Sequence, residues 1–282
     1  MSDIVFNALE HQTLAHLNKV QVMGILNVTP DSFSDGGKFS NIDDALKQVE
    51  LMLENGVDII DIGGESTRPG AVDVTTTDEI NRVIPLLKAI KSRFDISVSI
   101  DTSKSVVMDE AISCGADMIN DVYALQNSGC IDVIAQSDVS VCLMHMQGKP
   151  RTMQSNPHYK NLIEDIINFF KQRIHCCEQK GINKERIILD PGFGFGKTLA
   201  HNYQMLAQFP LFKQLNLPLL AGTSRKSMIG NLLKREVDER LAGSLTTAVV
   251  AVQQGASIIR VHDVKETVDA INVLKAIAEQ IN

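Results

Sequence analysis

Short apolar stretches and longer amphipathic segments alternate along this chain from about residue 20 to its end. Each apolar stretch is almost continuous, a pattern that is typical of parallel strands covered on both faces. We predict eight strands from this pattern, at residues 20–28, 57–65, 96–102, 117–122, 139–146, 186–192, 217–224 and 257–264.

The segments between these stretches have the spacing of amphipathic helices. Within residues 159–179, for example, apolar side chains recur every three or four positions, which places them on one helical face. Similar spacing predicts helices at 42–55, 77–93, 104–115, 199–213, 238–254 and 265–280. A glycine closes or follows four of these patterns, where a left-handed helix cap is expected: Gly56, Gly115, Gly181 and Gly255.

Strands that alternate with helices in this way predict an α/β fold with a parallel sheet. We favour a single-domain (β/α)₈ TIM barrel, because 282 residues without a linker suit that fold. A doubly wound open sheet is the alternative, since alternation alone does not separate the two folds. We therefore expect one domain over residues 1–282, in which residues 1–19 form an extension before the first barrel strand.

Charge and cysteine content narrow the class of partner and the compartment. The net charge of −7, from 34 acidic and 27 basic residues, argues against broad binding to nucleic acid or to an anionic membrane. No apolar stretch approaches the roughly 20 residues needed to cross a bilayer, and the first residues lack a signal-peptide pattern. The five cysteines include no CxxC pair, so neither a disulfide framework nor a zinc site is indicated. These features suit the reducing cytoplasm.

Polar or charged side chains follow almost every predicted strand. They are Asn27, Glu65, Ser66, Thr67, Arg68, Asp101, Asn120, Asp121, His145, Asp190, Ser224, Arg225, Lys226, Arg260 and His262. In a barrel, the carboxyl ends of the strands surround one mouth, where the active sites of this fold lie. Each residue could instead cap a helix or serve a turn, but helix caps do not call for Arg, Lys or His.

Asp101, Asn120 and Asp190 suggest a site for a flat heterocycle. Two carboxylates and an amide match a ring edge with alternating N–H groups and ring nitrogens, such as an aminopyrimidinone. Buried carboxylates are costly without a partner, so a ligand would account for them. Asp101 could also cap the helix predicted from residue 104, whereas Asp190 precedes Pro191-Gly192, which disfavours a cap.

Arg68, Lys226, Arg260 and His262 place cations at the same predicted mouth. In a chain with a net charge of −7 they suggest an anionic ligand, since a guanidinium can clamp phosphate or stack on a ring. A structural ion pair is the alternative for Arg260. No HExxH or EF-hand spacing indicates a metal cage, but magnesium could arrive with a diphosphate because it needs few protein ligands.

The stretch PGFGFGKT, residues 191–198, looks like a phosphate-binding loop but fits neither phosphate motif. A P-loop requires glycine where Pro191 stands, and the dinucleotide fingerprint is GxGxxG rather than GxGxG. We expect the glycines to permit a tight turn and a close approach to the ligand, with Phe193 and Phe195 nearby.

Seven stretches of the chain, in order, resemble the dihydropteroate synthases of the bacterial folate pathway. They span residues from about 20 to 265: MGILNVTPDSFSDGG, DIGGESTRPGA, SIDTSKSVV, INDV, ILDPGFGFGKT, GTSRKSMIG and IIRVHDV. The resemblance implies a pterin-binding (β/α)₈ barrel, a cytoplasmic homodimer, Mg²⁺ as cofactor and sulfonamides as inhibitors. The implied transferase reaction joins (7,8-dihydropterin-6-yl)methyl diphosphate to p-aminobenzoate by an SN1-like displacement, giving 7,8-dihydropteroate and diphosphate.

The resemblance also implies residue roles. The implied pterin residues are Asp101, Asn120, Asp190, Lys226 and Arg260. The implied diphosphate residues are Asn27, Thr67, Arg68, Arg260 and His262, of which Asn27 also binds the metal. The implied p-aminobenzoate residues are Phe33, Thr67, Arg68, Pro69, Phe195, Lys226 and Ser227. Catalytic roles are expected for Asn27, Asp101, Lys226, Arg260 and His262.

The polar, glycine-rich segment 28–39 then has an explanation as a mobile lid over the mouth. Phe33 would form an apolar wall for the aminobenzoate ring, and Asp35 would pair with a cation when the lid closes. Closure would exclude water from a reactive intermediate.

Two alternatives remain open at this point. A methyltransferase barrel that passes a methyl group from a folate to a corrinoid protein would share Asp101, Asn120 and Asp190, but would not need the lid or an Arg-x-His clamp. A non-catalytic pterin-binding paralogue should have lost some cations or lid residues, and none is missing from this sequence.

Overall fold

The structure, a computed structural model, describes residues 14–28, 38–66, 73–148 and 152–280. In these ranges the strands are β1 (Gln21–Asn27), β2 (Ile59–Gly63), β3 (Ser97–Asp101), β4 (Met118–Asp121), β5 (Ser140–Met144), β6 (Ile187–Asp190), β7 (Leu220–Ala221) and β8 (Ile258–Val261). The helices are α1 (Leu14–Leu17), α2 (Lys38–Glu54), α3 (Thr76–Arg93), α4 (Ser105–Ser113), α5 (Cys130–Ala135), α6 (Leu162–Gln179), α7 (Leu199–Ala207), α8 (Ser227–Leu233), α9 (Leu241–Gln253) and α10 (Val264–Glu279). Short 3₁₀ helices lie at Lys184–Arg186, Phe209–Leu215 and Val237–Glu239.

The described strands are parallel neighbours in the order β6-β5-β4-β3-β2-β1-β8-β7. A parallel bridge between Leu189 on β6 and Leu219, just before β7, brings the two ends of this row together. The sheet is therefore a nearly closed ring surrounded by helices, as in a (β/α)₈ barrel. The predicted barrel is confirmed, and the open doubly wound alternative is wrong because the edges of an open sheet do not pair.

Two apolar clusters fill the space on either side of the strands. The larger packs the strands against the helices. The smaller contains Met23, Ile59, Met118, Cys142, Leu220 and Ile258. Since side chains alternate along a strand, Asp61 points to the same side as Ile59, and Arg260 to the same side as Ile258. The barrel interior thus changes from apolar to charged toward the carboxyl ends of the strands.

Most predicted elements agree with the observed ones to within four residues at each end. α6 begins later than predicted because Asn161 caps it and accepts a hydrogen bond from the Glu164 amide. The helix predicted over 199–213 ends at Ala207, and a 3₁₀ helix that contains Pro210 follows, since proline has no amide proton to donate. The apolar pattern does not predict α5 or α8, which are only six and seven residues long.

Smaller sequence features can also be compared with the structure. The predicted left-handed glycines have positive φ angles, +83° at Gly56 and +104° at Gly255 among them. All five cysteines are free thiols. Within the described ranges, no helix is long and apolar enough to cross a membrane. The one-domain boundaries stay a prediction, in which α1 lies inside the expected extension over residues 1–19.

Candidate active site

The Arg260 guanidinium lies between two carboxylates at the carboxyl ends of the strands. Its Nε donates to Asp61 Oδ2 over 2.6 Å, and its Nη2 donates to Asp101 Oδ2 over 2.8 Å. These bonds connect β8 to β2 and β3, which are not its neighbours in the ring. Arg260 therefore forms the ion pair that the alternative describes, while its ligand role stays a prediction. Because the pair lies at the mouth, it also fixes the guanidinium where a ligand would meet it.

Asp61 is the main residue of this site that the strand-end pattern missed. Its side chain is fully buried and also accepts a long hydrogen bond, 3.4 Å, from Asn120 Nδ2. Within the described part of the chain, Asp61 Oδ1 has no hydrogen-bond partner. The signal in the sequence is an aspartate inside the apolar stretch VDIIDIGG. A charge on a buried strand needs a counterion, and here that counterion is Arg260.

Asp101 and Asp190 end β3 and β6, which are separated by β4 and β5 in the ring. Lys104, not Asp101, occupies the N-cap position of α4, so the helix-cap alternative for Asp101 is wrong. Burial raises the pKa of Asp101 to about 7, although the nearby guanidinium opposes this shift. Asp190 Oδ1 accepts a 2.7 Å hydrogen bond from the Gly192 amide. Burial raises the pKa of Asp190 as well, against the charge of Lys226.

The Lys226 ammonium faces the same space as Arg260. A β-carbon at Gly222 would lie 3.8 Å from both Lys226 Nζ and Arg260 Cβ. Lys226 Nζ donates to the Phe193 carbonyl over 2.5 Å and lies 4.7 Å from the centre of the Phe195 ring. Burial lowers the pKa of Lys226 to about 8. A second cation and a half-buried aromatic ring therefore line this side of the mouth.

Asn27 and His262 lie at the ends of two neighbouring strands, β1 and β8. A β-carbon at Gly63 would lie 3.3 Å from Asn27 Oδ1 and 3.8 Å from Asp101 Cβ, so Asn27 stands beside the β3 side of the mouth. His262 Nδ1 lies 3.1 Å from Ser224 Oγ, a contact that orients the imidazole. Ser227, the first residue of α8, is exposed.

Other strand-end residues serve the protein itself. The Asp121 carboxylate accepts hydrogen bonds of 2.8 and 2.7 Å from two amides of the following turn, so the turn alternative is right for this residue. Arg225 pairs with Asp263. Glu65 accepts a 2.5 Å hydrogen bond from Lys104. A position at the carboxyl end of a strand therefore does not by itself separate residues that face a ligand from residues that stabilise the fold.

Lys197 is a second residue that the sequence reasoning missed. It ends the PGFGFGK stretch, and its side chain lies buried beside His145 at the end of β5. The stretch fits neither phosphate-binding motif, so its lysine has no phosphate role and is given no other one. A lysine that closes a glycine turn without a phosphate role would have been the signal.

Five predicted site residues lie outside the described part of the chain: Phe33, Asp35, Thr67, Arg68 and Pro69. The structure describes the others and places them at or just beyond the carboxyl ends of the strands: Asn27, Asp101, Asn120, Asp190, Phe195, Lys226, Ser227, Arg260 and His262. Among the described residues, no three His, Cys, Asp or Glu side chains are grouped so as to hold a metal ion. All of the assigned roles stay predictions at this stage.

The chain is similar to proteins of a known family. A family profile described as pterin binding enzyme matches residues 23–262. The dihydropteroate synthase of Escherichia coli K12 is 53% identical over 264 residues, which are 94% of each chain. A Yersinia pestis dihydropteroate synthase with a sulfonamide drug is 52% identical, has a TM-score of 0.89, and is aligned over 93% of this chain and 96% of its own. A Xanthomonas albilineans dihydropteroate synthase with 4-aminobenzoic acid is 46% identical, with a TM-score of 0.87 and coverages of 93% and 94%.

Proposed function

The chain belongs to the dihydropteroate synthase family of pterin-binding enzymes, and from that membership we propose how its own residues bind the substrates and carry the reaction. The activity is a transferase step of folate biosynthesis that joins (7,8-dihydropterin-6-yl)methyl diphosphate to p-aminobenzoate. The relatives named above are synthases, so the chain shares this reaction with them rather than methyl transfer to a corrinoid protein. The observation that carries the residue assignments is the Arg260 guanidinium held between Asp61 and Asp101.

The pterin ring is proposed to bind on the floor formed by Asp101, Asn120 and Asp190. The two carboxylates accept hydrogen bonds from the N–H groups of the pyrimidinone edge, and the Asn120 amide serves the remaining ring atoms. The planar Arg260 guanidinium, fixed by its two carboxylates, lies over the ring. Such a ligand would supply the partners that the buried carboxylates require.

The diphosphate is proposed to lie on the β1–β8 side of the mouth. Arg260 and His262 donate to its oxygens, and Thr67 and Arg68 are expected to add contacts. Asn27 fits a magnesium ligand, because its amide oxygen stands at the strand end beside Gly63 and magnesium is held by few protein ligands and by substrate phosphates. Bound there, Mg²⁺ would neutralise charge on the leaving diphosphate.

The p-aminobenzoate ring is proposed to pack against Phe195 and the Lys226 stem, with the exposed Ser227 hydroxyl available to its carboxylate. Phe33, Pro69 and the other loop residues would complete this pocket. Two structural neighbours, one with 4-aminobenzoic acid and one with a sulfonamide, support a site for this ring and for drugs of its shape.

The residues support an SN1-like displacement. The arylamine needs no deprotonation before it attacks, so departure of diphosphate is the difficult step. Arg260 and His262 stabilise the negative charge that develops on the leaving group. The Asp101 and Asp190 carboxylates stabilise the positive charge that spreads over the pterin ring. Closure of the lid, segment 28–39, over the mouth would keep water from this cation.

A homodimer and a cytoplasmic location are also proposed. Four apolar side chains on and between α8 and α9 are 37–54% exposed: Leu232, Leu233, Val237 and Leu241. An apolar patch of this kind is a candidate for the contact between two copies of the chain. Sedimentation of wild type and of Leu232→Glu would test this, and a wild-type monomer would refute it.

The function is tested by incubating the protein with the pterin diphosphate, Mg²⁺ and labelled p-aminobenzoate. We expect labelled dihydropteroate and released diphosphate, and neither product when the pterin diphosphate is omitted. Absence of labelled product with all three components would refute the proposed reaction.

A further inference from the structure

The Lys197 ammonium lies buried under residues 191–197, the turn that joins β6 to α7. Its Nζ donates to the carbonyls of Gly192, at 2.9 Å, and Phe195, at 3.1 Å, and lies 3.1 Å from His145 Nδ1. An ammonium carries three protons, and these acceptors, together with the His145 carbonyl at 3.4 Å, can take all of them. The residue is 3% exposed, and a cation buried to this extent needs such partners.

The same turn packs directly on the chain that follows β5. Gly192 and Gly196 have φ angles of +74° and +61°. A β-carbon at Gly192 would lie 2.0 Å from the His145 carbonyl oxygen, and one at Gly196 would lie 2.3 Å from that of Gln147. Only glycine allows this approach. Two carbonyls of this turn, those of Gly192 and Phe195, accept from the buried Lys197, and the Gly192 carbonyl also accepts from the Phe195 amide.

The turn also carries both contacts of Lys226 that were described above. The Phe193 carbonyl accepts from Lys226 Nζ, and the Phe195 ring lies beneath that ammonium. We propose that Lys197 is a positioning residue, which holds the turn against β5 and thereby sets the place of Lys226 and of the Phe195 ring. This inference rests on the proposed function, since it concerns the p-aminobenzoate side of that site.

Other roles for Lys197 predict different kinetics. A group that transfers a proton would lower kcat when it is lost and leave KM unchanged. A group that only stabilises the fold would lower the melting temperature and leave the kinetics of the folded enzyme unchanged. A positioning group raises the KM for p-aminobenzoate, because Lys226 and Phe195 surround that substrate in the proposed site. The split between KM and kcat therefore separates the three roles.

The test compares Lys197→Met with Arg186→Met. The first substitution keeps an unbranched apolar side chain and removes the ammonium. Arg186 is the matched control, because its guanidinium donates to the carbonyls of Val139 and Ile134 at the opposite end of β6. We expect Lys197→Met to raise the KM for p-aminobenzoate about ten-fold or more, with a smaller fall in kcat, as misplaced contacts can cost that much. We expect Arg186→Met to lower the melting temperature and to leave both constants within about two-fold of wild type.

A folded Lys197→Met enzyme with a KM within two-fold of wild type would overturn the proposal, and so would a loss confined to kcat. If Lys197→Met does not fold, Lys197→Gln is measured instead. Its amide keeps two N–H donors, but the side chain is one bond shorter and does not reach both turn carbonyls, so the KM for p-aminobenzoate should again rise. Failure of both variants to fold would assign Lys197 to stability alone and also overturn the proposal. A wild-type protein without turnover would instead refute the proposed function, so the two failures are distinguishable.

Discussion

The two ends of the barrel use aspartates in different ways. At the amino ends of the strands, Asp58 and Asp117 each accept a 2.7 Å hydrogen bond from a backbone amide of the neighbouring strand. At the carboxyl ends, Asp61 and Asp101 bind the Arg260 guanidinium, a side chain from the other part of the ring. The first pair ties adjacent strands together. The second pair places charged side chains close together at the mouth of the barrel.

This difference teaches what each end contributes. Asp58 and Asp117 each accept an amide of the neighbouring strand at the end of the barrel that faces away from the mouth, so they serve the fold. A buried aspartate such as Asp61, with one oxygen that has no partner in the described structure, keeps a capacity to interact. Substitutions at the amino ends should therefore change stability, and those at the mouth should change binding and turnover.

Arg260→Met should have the largest effect. It leaves the buried Asp61 carboxylate and the partly buried Asp101 carboxylate without their counterion, and it removes a cation from the departing diphosphate. We expect kcat to fall by about 10²–10³-fold and the free energy of unfolding to fall by about 3–5 kcal/mol. Initial-rate kinetics and denaturant unfolding measure the two effects. A folded variant with wild-type kcat would remove Arg260 from the catalytic machinery.

Asp190→Asn should be the next largest change, and it should affect binding alone. The amide oxygen can still accept from Gly192, so the turn should persist, but an N–H₂ group now faces the donors of the pterin edge. Loss of a charge-assisted hydrogen bond of roughly 1.5–3 kcal/mol should weaken pterin binding about ten- to a hundred-fold. Titration calorimetry, with thermal melting as the control, decides this. Unchanged affinity would place Asp190 outside the site.

The pH dependence of pterin diphosphate binding should report the titration of two residues at the mouth, Asp101 and Lys226. Below pH 7, Asp101 takes up a proton and loses its charge, and above pH 8, Lys226 loses its proton. Affinity should therefore be greatest between about pH 7 and 8 and should fall up to about ten-fold per pH unit outside this window. Lys226→Met should remove the alkaline limb and keep the acidic one. If both limbs persist in that variant, Lys226 does not set the alkaline limit.

Asp58→Ala, at the amino end, should have the smallest effect. It removes the acceptor of the Val22 amide at an exposed position, so water can partly replace it. We expect a loss of about 1 kcal/mol in the free energy of unfolding and kinetic constants within about two-fold of wild type. A larger loss of activity than of stability would show that the two ends are not separate in function.

The sequence predicts the fold well because barrel strands and their covering helices have distinct apolar periods. Errors occur where one residue overrides the pattern, as when Pro210 ends the α-helical run that follows Leu199. α5 and α8 escape detection because one or two helical turns are too short to show a period.

The site is predicted less completely, for a physical reason. Reading the last residues of each strand finds Asp101 and Arg260, but their contact joins positions 159 residues apart and no local pattern encodes it. Asp61 lies two residues before the end of β2, inside an apolar stretch, and is passed over for that reason. Lys197 acts on backbone carbonyls, and a single sequence does not show which carbonyls face inward.

The pairing of the ring is thinnest between β6 and β7. There, one bridge and the hydrogen bond from the Leu189 amide to the Pro218 carbonyl join strands, whereas β1 and β2 are paired over five residues. Local opening of a barrel requires the least free energy where the fewest backbone hydrogen bonds join two strands. Asp190 ends β6 and Lys226 follows β7, so a pterin bound to both residues would connect these two strands and oppose their separation. Its binding should then slow amide hydrogen exchange at 187–190 and 219–221, including at residues that it does not touch.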